Sequence, residues 1–133
     1  MKLQRFNIHA ELTYVNEWLT KHNMPQVTRH DVPEMGYIAW DKGDPVAAVF
    51  LRRCEGGLGI IDSLISNPAC QPQLRNLALD SLVDHILEQA KKSKIKFVIA
   101  YTRDESVLLR ASRHGFEQSP YQVLAKNLMK SES

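Results

Sequence analysis

The centre of the chain predicts a strand, a long helix and a second strand in immediate succession. Leu58–Ser66 is an apolar run rich in isoleucine and leucine, which is typical of a central strand. From Pro72 to Lys92, apolar residues recur at helical spacing opposite a charged face. Ile95–Tyr101 has the β-branched and aromatic composition of a strand. Because a helix that connects two neighbouring strands makes them parallel, this segment predicts a β-α-β crossover.

The segment before the crossover predicts an antiparallel meander. Gly36–Asp41 and Val46–Arg53 have strand composition and are separated by the turn-forming residues Lys42–Pro45, which predicts a hairpin that leads into the central strand. A short first strand is expected over Leu3–Ile8. A helix follows it, and Asn7 is a residue suited to capping that helix.

The C-terminal part predicts one more helix and one more strand. Asp104–His114 is amphipathic, and Gly115 is suited to the position that closes a helix. Tyr121–Leu128 alternates as a strand does. Together these elements predict an α/β (α+β) fold. Its mixed sheet has about six to seven strands, an antiparallel meander plus a β-α-β crossover, and helices on both faces. A length of 133 residues predicts a single domain over 1–133, with a frayed tail at about 130–133.

Composition excludes several classes of protein. Seventeen basic and fifteen acidic residues give a net charge of +2, which is too balanced to favour nucleic-acid binding. The longest apolar run, Val46–Leu51, is far shorter than the ~20 residues of a membrane span, and no secretory signal is visible. Cys54 and Cys70 match neither a metal site nor a disulfide framework, and the histidines have no metal-ligand spacing. We therefore expect a cytoplasmic protein without a metal.

Three segments carry a resemblance to a known family. Leu58–Pro68 is similar to the fourth strand of the GNAT superfamily of N-acetyltransferases, and Leu74–Ala90 to the cofactor-loop helix of that family. Leu108–Phe116 resembles the helix of the family that ends in Gly-Phe after the fifth strand. The segment Met35–Ala48 is also similar to small members encoded by bacteriophages.

The resemblance implies how a cofactor would bind. Family members hold acetyl-CoA in a cleft where the fourth and fifth strands splay apart, and an amine then attacks the thioester. The backbone of the fourth strand holds the pantetheine arm, and N–H groups at the start of the next helix bind the diphosphate. The resemblance places these contacts at Ile65, Ser66 and Asn67 for pantetheine, and at Arg75, Asn76, Leu77 and Ala78 for the diphosphate.

The sequence departs from the family pattern in the diphosphate loop. Leu74 stands at the Gln/Arg position of the motif, and Leu77 and Leu79 stand at its two glycines. The loop therefore lacks the residues that let a backbone approach phosphate closely. Arg75 could supply a side-chain contact instead, or it could be a solvated helix residue.

Asp62 is the candidate general base. Two-residue alternation puts it on the same strand face as Ile60 and Leu64. A carboxylate with apolar neighbours on a central strand suits a general base. The alternative is a carboxylate at a strand bulge that pairs with an arginine of the neighbouring strand, either Arg52 or Arg53.

The family's catalytic tyrosine has no counterpart at its usual position, which is Ala111. Tyr101 and Tyr121 are candidate substitutes for that acid, or they are amphipathic residues at the rim. The loop His30–Glu34 falls where the family forms its acceptor wall. The resemblance therefore implies an acyl-CoA-dependent N-acetyltransferase with a divergent diphosphate loop, which uses acetyl-CoA to acetylate an amine of unknown identity. The alternative is a catalytically inactive binding module that recognises a protein partner or a small ligand. A monomer or a homodimer is expected.

Overall fold

The structure is a computed structural model that describes residues 1–102 and 104–129. Met1–Thr102 form one compact unit, which contains the sheet and two helices, and the described residues 104–129 belong to a second unit. The predicted tail, 130–133, lies outside the described residues, and the single-domain organisation stays a prediction. Among the described residues, no helix is long and apolar enough to cross a membrane.

The elements follow the predicted order closely. Their bounds are β1 (Lys2–Arg5), α1 (Ile8–Lys21), β2 (Met35–Asp41), β3 (Asp44–Arg53), β4 (Leu58–Ser66), α2 (Pro72–Lys92), β5 (Phe97–Ile99) and α3 (Glu105–Arg113). The strands form one sheet in the order β1-β2-β3-β4-β5. The pairs β1–β2, β2–β3 and β3–β4 are antiparallel, whereas the pair β4–β5 is parallel. The mixed sheet with a meander and a β-α-β crossover is therefore confirmed, with five strands in the described part of the chain rather than six to seven.

The core of the first unit lies on both faces of the sheet. On the α2 face, Leu82 and Ile86 are fully buried against Val49 and Leu51 of β3. On the opposite α1 face, Trp18 packs among buried side chains that the sheet contributes, which are Ile38, Ala48, Phe50 and Ile65. Full burial of one such side chain contributes about 1.5–3 kcal/mol. Helices therefore cover both faces, as the sequence predicts.

The predicted helix caps are confirmed by their hydrogen bonds. The Asn7 side chain accepts from the N–H groups of His9 and Ala10, at 3.1 and 3.3 Å. At the end of α3, Gly115 has a φ of +86°, and the Phe116 N–H donates to the Ala111 carbonyl at 3.0 Å. This is the Schellman arrangement, which requires a left-handed residue after the helix.

β2 and β3 begin one and two residues earlier than predicted, at Met35 and Asp44, and three other predicted strands differ more from the structure. β1 ends at Arg5 rather than Ile8, because capping by Asn7 places Ile8 in the first helical turn. β5 is limited to Phe97–Ile99, because the Ile95 N–H closes α2 by donating to the Ala90 carbonyl at 3.0 Å. The strand predicted over Tyr121–Leu128 is wrong. This segment pairs with no strand among the described residues, and alternation alone does not stabilise an isolated strand.

Candidate active site where β4 and β5 part

The parallel ladder between β4 and β5 ends early. It joins Leu58 to Phe97, Gly59 to Val98 and Ile60 to Ile99, and goes no further. β4 continues for six more residues to Ser66, paired with β3 on its other side. The edge of β4 over residues 61–66, called the open edge below, therefore has no partner strand in the part of the chain that the structure describes.

Two residues of the open edge direct their backbone away from β3. The Asn67 N–H donates to the Val46 carbonyl at 2.7 Å, so this pair is hydrogen-bonded. Hydrogen-bonded and non-hydrogen-bonded pairs alternate along an antiparallel ladder. Ser66 and Leu64 are therefore in non-hydrogen-bonded pairs, and their N–H and C=O groups point outward. The Ser66 carbonyl accepts from Nε2 of His22 at 3.0 Å, which requires the proton to be on that nitrogen.

Asp62 lies at a β-bulge. Phe50 of β3 pairs with Ser63, and the next residue, Leu51, pairs with Ile61, so Asp62 is the extra residue. Its carboxylate forms an ion pair with Arg52, with Nη2–Oδ2 and Nε–Oδ1 distances of 3.3 and 3.5 Å. The expectation that apolar neighbours enclose this carboxylate is wrong, because the bulge breaks the two-residue alternation and turns the side chain toward solvent, where it is 30% exposed. The bulge with an arginine partner is the arrangement found, and the role of Asp62 as a base stays a prediction.

Arg52 also contacts the loop between α1 and β2. Its Nη2 donates to the Asp31 carbonyl at 3.1 Å. The Asp31 side chain in turn accepts from Oγ1 and the backbone N–H of Thr28, at 2.8 and 3.2 Å. These two hydrogen bonds hold the pKa of the Asp31 carboxyl below its ordinary value. The segment predicted to form the acceptor wall is therefore connected to the bulge.

The loop between β4 and α2 leads to a helix start with free donors. The Asn67 side chain accepts from the Ala69 N–H and donates to the Pro45 carbonyl, both at 3.0 Å. α2 begins at Pro72, and the Gln71 side chain makes no capping bond. The first helical N–H groups, at Gln73 and Leu74, therefore have no helical acceptor within the described chain. This end of α2 is where an anion would be stabilised.

The predicted diphosphate residues lie further along α2. Within a helix each N–H donates to the residue four before it, so the backbones of Asn76, Leu77 and Ala78 are not free for phosphate. Ala78 is fully buried in the core on the α2 face, and Leu77 is 58% exposed. Placing a backbone cradle at 76–78 is therefore wrong, because the helix begins before them. Leu74 and Leu79 pack against the α2-face core.

Arg75 is the one predicted diphosphate residue with a suitable side chain near the start of α2. Its Nε is buried without a hydrogen-bond partner among the described residues. The neighbouring Cys70 thiol has its pKa raised, by burial first and then by Asp44, and the Arg75 charge opposes that shift. The Arg75 charge thus acts on Cys70, which precedes the first residue of α2 by two positions.

The remaining candidates are spread over both units. Tyr101 follows β5 by two residues and is 65% exposed, whereas Tyr121 belongs to the second unit and is 85% exposed. The Ile65 side chain points into the core on the α1 face. Its backbone is in a hydrogen-bonded pair with Ala48, so its N–H and C=O groups point toward β3 and not to the open edge. No contact joins Tyr101 to Asp62 among the described residues, and both tyrosines stay predictions as acids.

Sequence reasoning missed His22 as part of this site. It continues the helical spacing of Leu12, Val15 and Leu19 on α1, which is the signal that it faces the sheet. No three histidine, cysteine, aspartate or glutamate side chains in 1–102 and 104–129 come together as a metal site.

Comparison with solved structures identifies the architecture. A putative acetyltransferase from Agrobacterium tumefaciens superimposes with a TM-score of 0.74 at 18% identity, over 96% of this chain and 100% of that one. A GNAT-family acetyltransferase from Staphylococcus aureus superimposes with a TM-score of 0.72 at 16% identity, over 99% and 94% of the two chains. The chain has the GNAT fold. A Mycobacterium tuberculosis protein with this fold, crystallised in complex with CoA and NLQ, gives a TM-score of 0.71 at 17% identity, over 92% of this chain and 76% of that one. No family model and no curated protein matches the sequence.

Proposed function

We propose that this GNAT-fold protein is an acyl-CoA-dependent N-acetyltransferase with a divergent diphosphate site. The observation that carries the proposal is the early end of the β4–β5 ladder. Within the described residues it leaves the backbone groups of Leu64 and Ser66 pointing outward, and the chain leads from there to the N–H groups of Gln73 and Leu74, which have no helical acceptor in that part of the chain. A linear molecule with amide groups at one end and a diphosphate at the other fits this arrangement. Acyl-CoA is such a molecule, and a neighbour of the same fold is crystallised with CoA.

The orientation of the cofactor follows from the chain direction. The diphosphate binds at the start of α2, beside Arg75, which replaces the missing glycines with a side-chain charge. Pantetheine lies along the outward groups of Leu64 and Ser66, for which His22 must release or share the Ser66 carbonyl. The thioester then lies toward the bulge at Asp62.

The reaction is acetyl transfer to an amine. The neutral amine attacks the thioester carbonyl, the C–S bond breaks, and the CoA thiolate leaves. Asp62 accepts the amine proton directly or through water, and a proton from Tyr101 or water neutralises the thiolate. Holding the amine and the thioester together supplies most of the acceleration, which tolerates the loss of a dedicated acid at a cost of roughly 10²–10⁴-fold.

The test is calorimetric titration with acetyl-CoA. Gln73→Glu puts a carboxylate at the free N–H groups, where it favours the helix but repels a diphosphate. We expect this variant to raise the Kd for acetyl-CoA at least fivefold without lowering the melting temperature. Gln89→Glu makes the same change at the other end of α2 and should leave the Kd unchanged. Wild-type protein that does not bind acetyl-CoA at millimolar concentration would refute the proposal.

Turnover is measured separately, as CoA thiol release with a panel of amines: spermidine, L-alanine, tyramine and a trialanine peptide. The second candidate, a binding module without turnover, is favoured by the Arg52–Asp62 ion pair and by Ala111 at the usual tyrosine position. Saturable acetyl-CoA binding without thiol release for any amine would support it. Acetyl transfer that Asp62→Ala abolishes would exclude it. A cytoplasmic location, a monomeric or homodimeric state and a phage relationship belong to the same proposal.

A further inference from the structure

Arg52 joins three parts of the first unit through one guanidinium group. It lies on β3 opposite Ile60, next to the bulge. Its Nε and Nη2 contact the two carboxylate oxygens of Asp62 at 3.5 and 3.3 Å, and Nη2 also donates to the Asp31 carbonyl at 3.1 Å. One side chain therefore fixes the distance between the bulge of β4 and the loop that precedes β2.

The loop that Arg52 contacts is itself a closed turn. The Asp31 N–H donates to the Thr28 carbonyl at 3.0 Å, and the Asp31 carboxylate accepts two hydrogen bonds from Thr28. Val32, the next residue, packs against the core on the α1 face. Because these bonds make residues 28–32 one unit, a donor that holds the Asp31 carbonyl positions the whole turn.

We infer that Arg52 is a positioning residue for the acceptor side of the cleft. This inference rests on the proposed function, which places the thioester toward the bulge and the diphosphate at the start of α2. Arg52 is then at the reacting end, where it orients the Asp62 carboxylate and holds the turn of Asp31 beside it. An amine that enters this site binds between the turn of Asp31 and the bulge at Asp62. The Arg52 guanidinium bonds to both and so keeps them from moving apart.

The geometry requires arginine rather than any cation. Nε and Nη2 approach one carboxylate side by side, while Nη2 directs a further hydrogen atom to a carbonyl. Only a planar group with several donors can satisfy this arrangement, and a lysine ammonium would satisfy part of it.

The adjacent residue provides a matched control. Arg53 follows on the same strand, and its Nη2 donates to the Ser93 carbonyl at 2.7 Å, at the end of α2. Both arginines thus bind a backbone carbonyl of another element, but only Arg52 contacts the bulge. A general effect of losing a positive charge from β3 will appear both in Arg52→Ala and in Arg53→Ala. Loss of positioning will appear only in Arg52→Ala.

The experiment compares Arg52→Ala, Arg52→Lys and Arg53→Ala in the full chain. Hydrogen exchange measures the amides of residues 28–34, and steady-state kinetics measure KM for acetyl-CoA and for the best amine of the panel. We expect Arg52→Ala to speed exchange in that loop at least tenfold and to raise KM for the amine at least tenfold, with less than a twofold change in KM for acetyl-CoA. For Arg52→Lys, the loop exchange rate and the KM for the amine should lie between those of the wild-type protein and Arg52→Ala. Arg53→Ala should change neither quantity.

The outcomes separate this inference from the proposed function. Unchanged loop exchange in Arg52→Ala overturns the inference even if the protein is an active transferase. An equal rise in both KM values, or the same rise in Arg53→Ala, also overturns it, because a merely structural role would produce that result. If the wild-type protein does not bind acetyl-CoA, the proposed function fails, and the role of Arg52 at the acceptor site fails with it. In that case, faster hydrogen exchange in Arg52→Ala alone would show that the contact of Arg52 with the loop is structural.

Discussion

Replacing Asn67 with alanine should destabilise the loop that leads to the candidate cofactor site. The side chain makes two hydrogen bonds, a partly buried one to the Pro45 carbonyl and an exposed one from the Ala69 N–H. Each contributes a net ~0.5–1.5 kcal/mol, so Asn67→Ala should lower the free energy of unfolding by about 1–3 kcal/mol. Asn67→Asp keeps an oxygen for the Ala69 N–H but turns the donor to the Pro45 carbonyl into a second acceptor. Because two oxygens then face each other, Asn67→Asp should destabilise the protein no less than Asn67→Ala.

Urea denaturation followed by circular dichroism measures these differences, provided that the slope m is unchanged among the variants. Gln71→Ala is the control, because Gln71 is an exposed residue of the same loop whose side chain makes no capping bond. It should change the free energy of unfolding by less than about 0.5 kcal/mol. If Asn67→Ala costs no more than Gln71→Ala, the reasoning that the side chain shapes this loop is refuted.

Three further predictions concern the thiols, the acidic turn and the core. Acetyl-CoA should slow the alkylation of Cys70 by iodoacetamide but not that of Cys54, and equal protection of both thiols would contradict the site. Because burial raises the pKa of Cys70, the alkylation rate of Cys70 should still increase above pH ~9. Mass spectrometry of the two peptides measures both effects. Hydrogen bonds from Thr28 lower the pKa of Asp31, so Asp31→Asn should reduce the free energy of unfolding that urea titration measures at pH 7. This difference between the wild-type protein and the variant should vanish as the pH falls below ~4 through the lowered pKa. A difference that persists in acid would be inconsistent with this linkage. Leu82→Ala should cost about 2–5 kcal/mol, because Leu82 is fully buried, and thermal unfolding that shows less than about 1 kcal/mol would argue against the packing described for α2.

Much of the scaffold follows from local signals. The bounds of β4 and α2 agree with those that periodicity predicts, and the caps at Asn7 and Gly115 form as their residue types indicate. These features depend on interactions between residues that are close in the sequence, so they can be predicted without the rest of the molecule. The same locality explains the error at Tyr121–Leu128, because a strand is stabilised by a partner that its own alternation does not specify.

The candidate site depends on non-local contacts. The alternation of apolar residues in the sequence predicted apolar neighbours for Asp62. In the register of β3 against β4, however, Asp62 is the bulge residue, and its carboxylate forms an ion pair with Arg52. Similarity to a family motif placed phosphate contacts at 76–78, whereas the observed start of α2 leaves the free N–H groups at Gln73 and Leu74. His22 reaches the Ser66 carbonyl across 44 residues of sequence.

The amino-acid order alone determined the succession of strands and helices, the caps that end the helices and the two faces of the sheet, because each of these is encoded in hydrophobic spacing and short-range hydrogen bonds. Only the tertiary structure decided where β5 leaves β4, which residue is extruded at the bulge, and which arginine pairs with it. Those outcomes depend on the register between segments that are distant in the chain, and a shift of one residue would give a different site with the same elements.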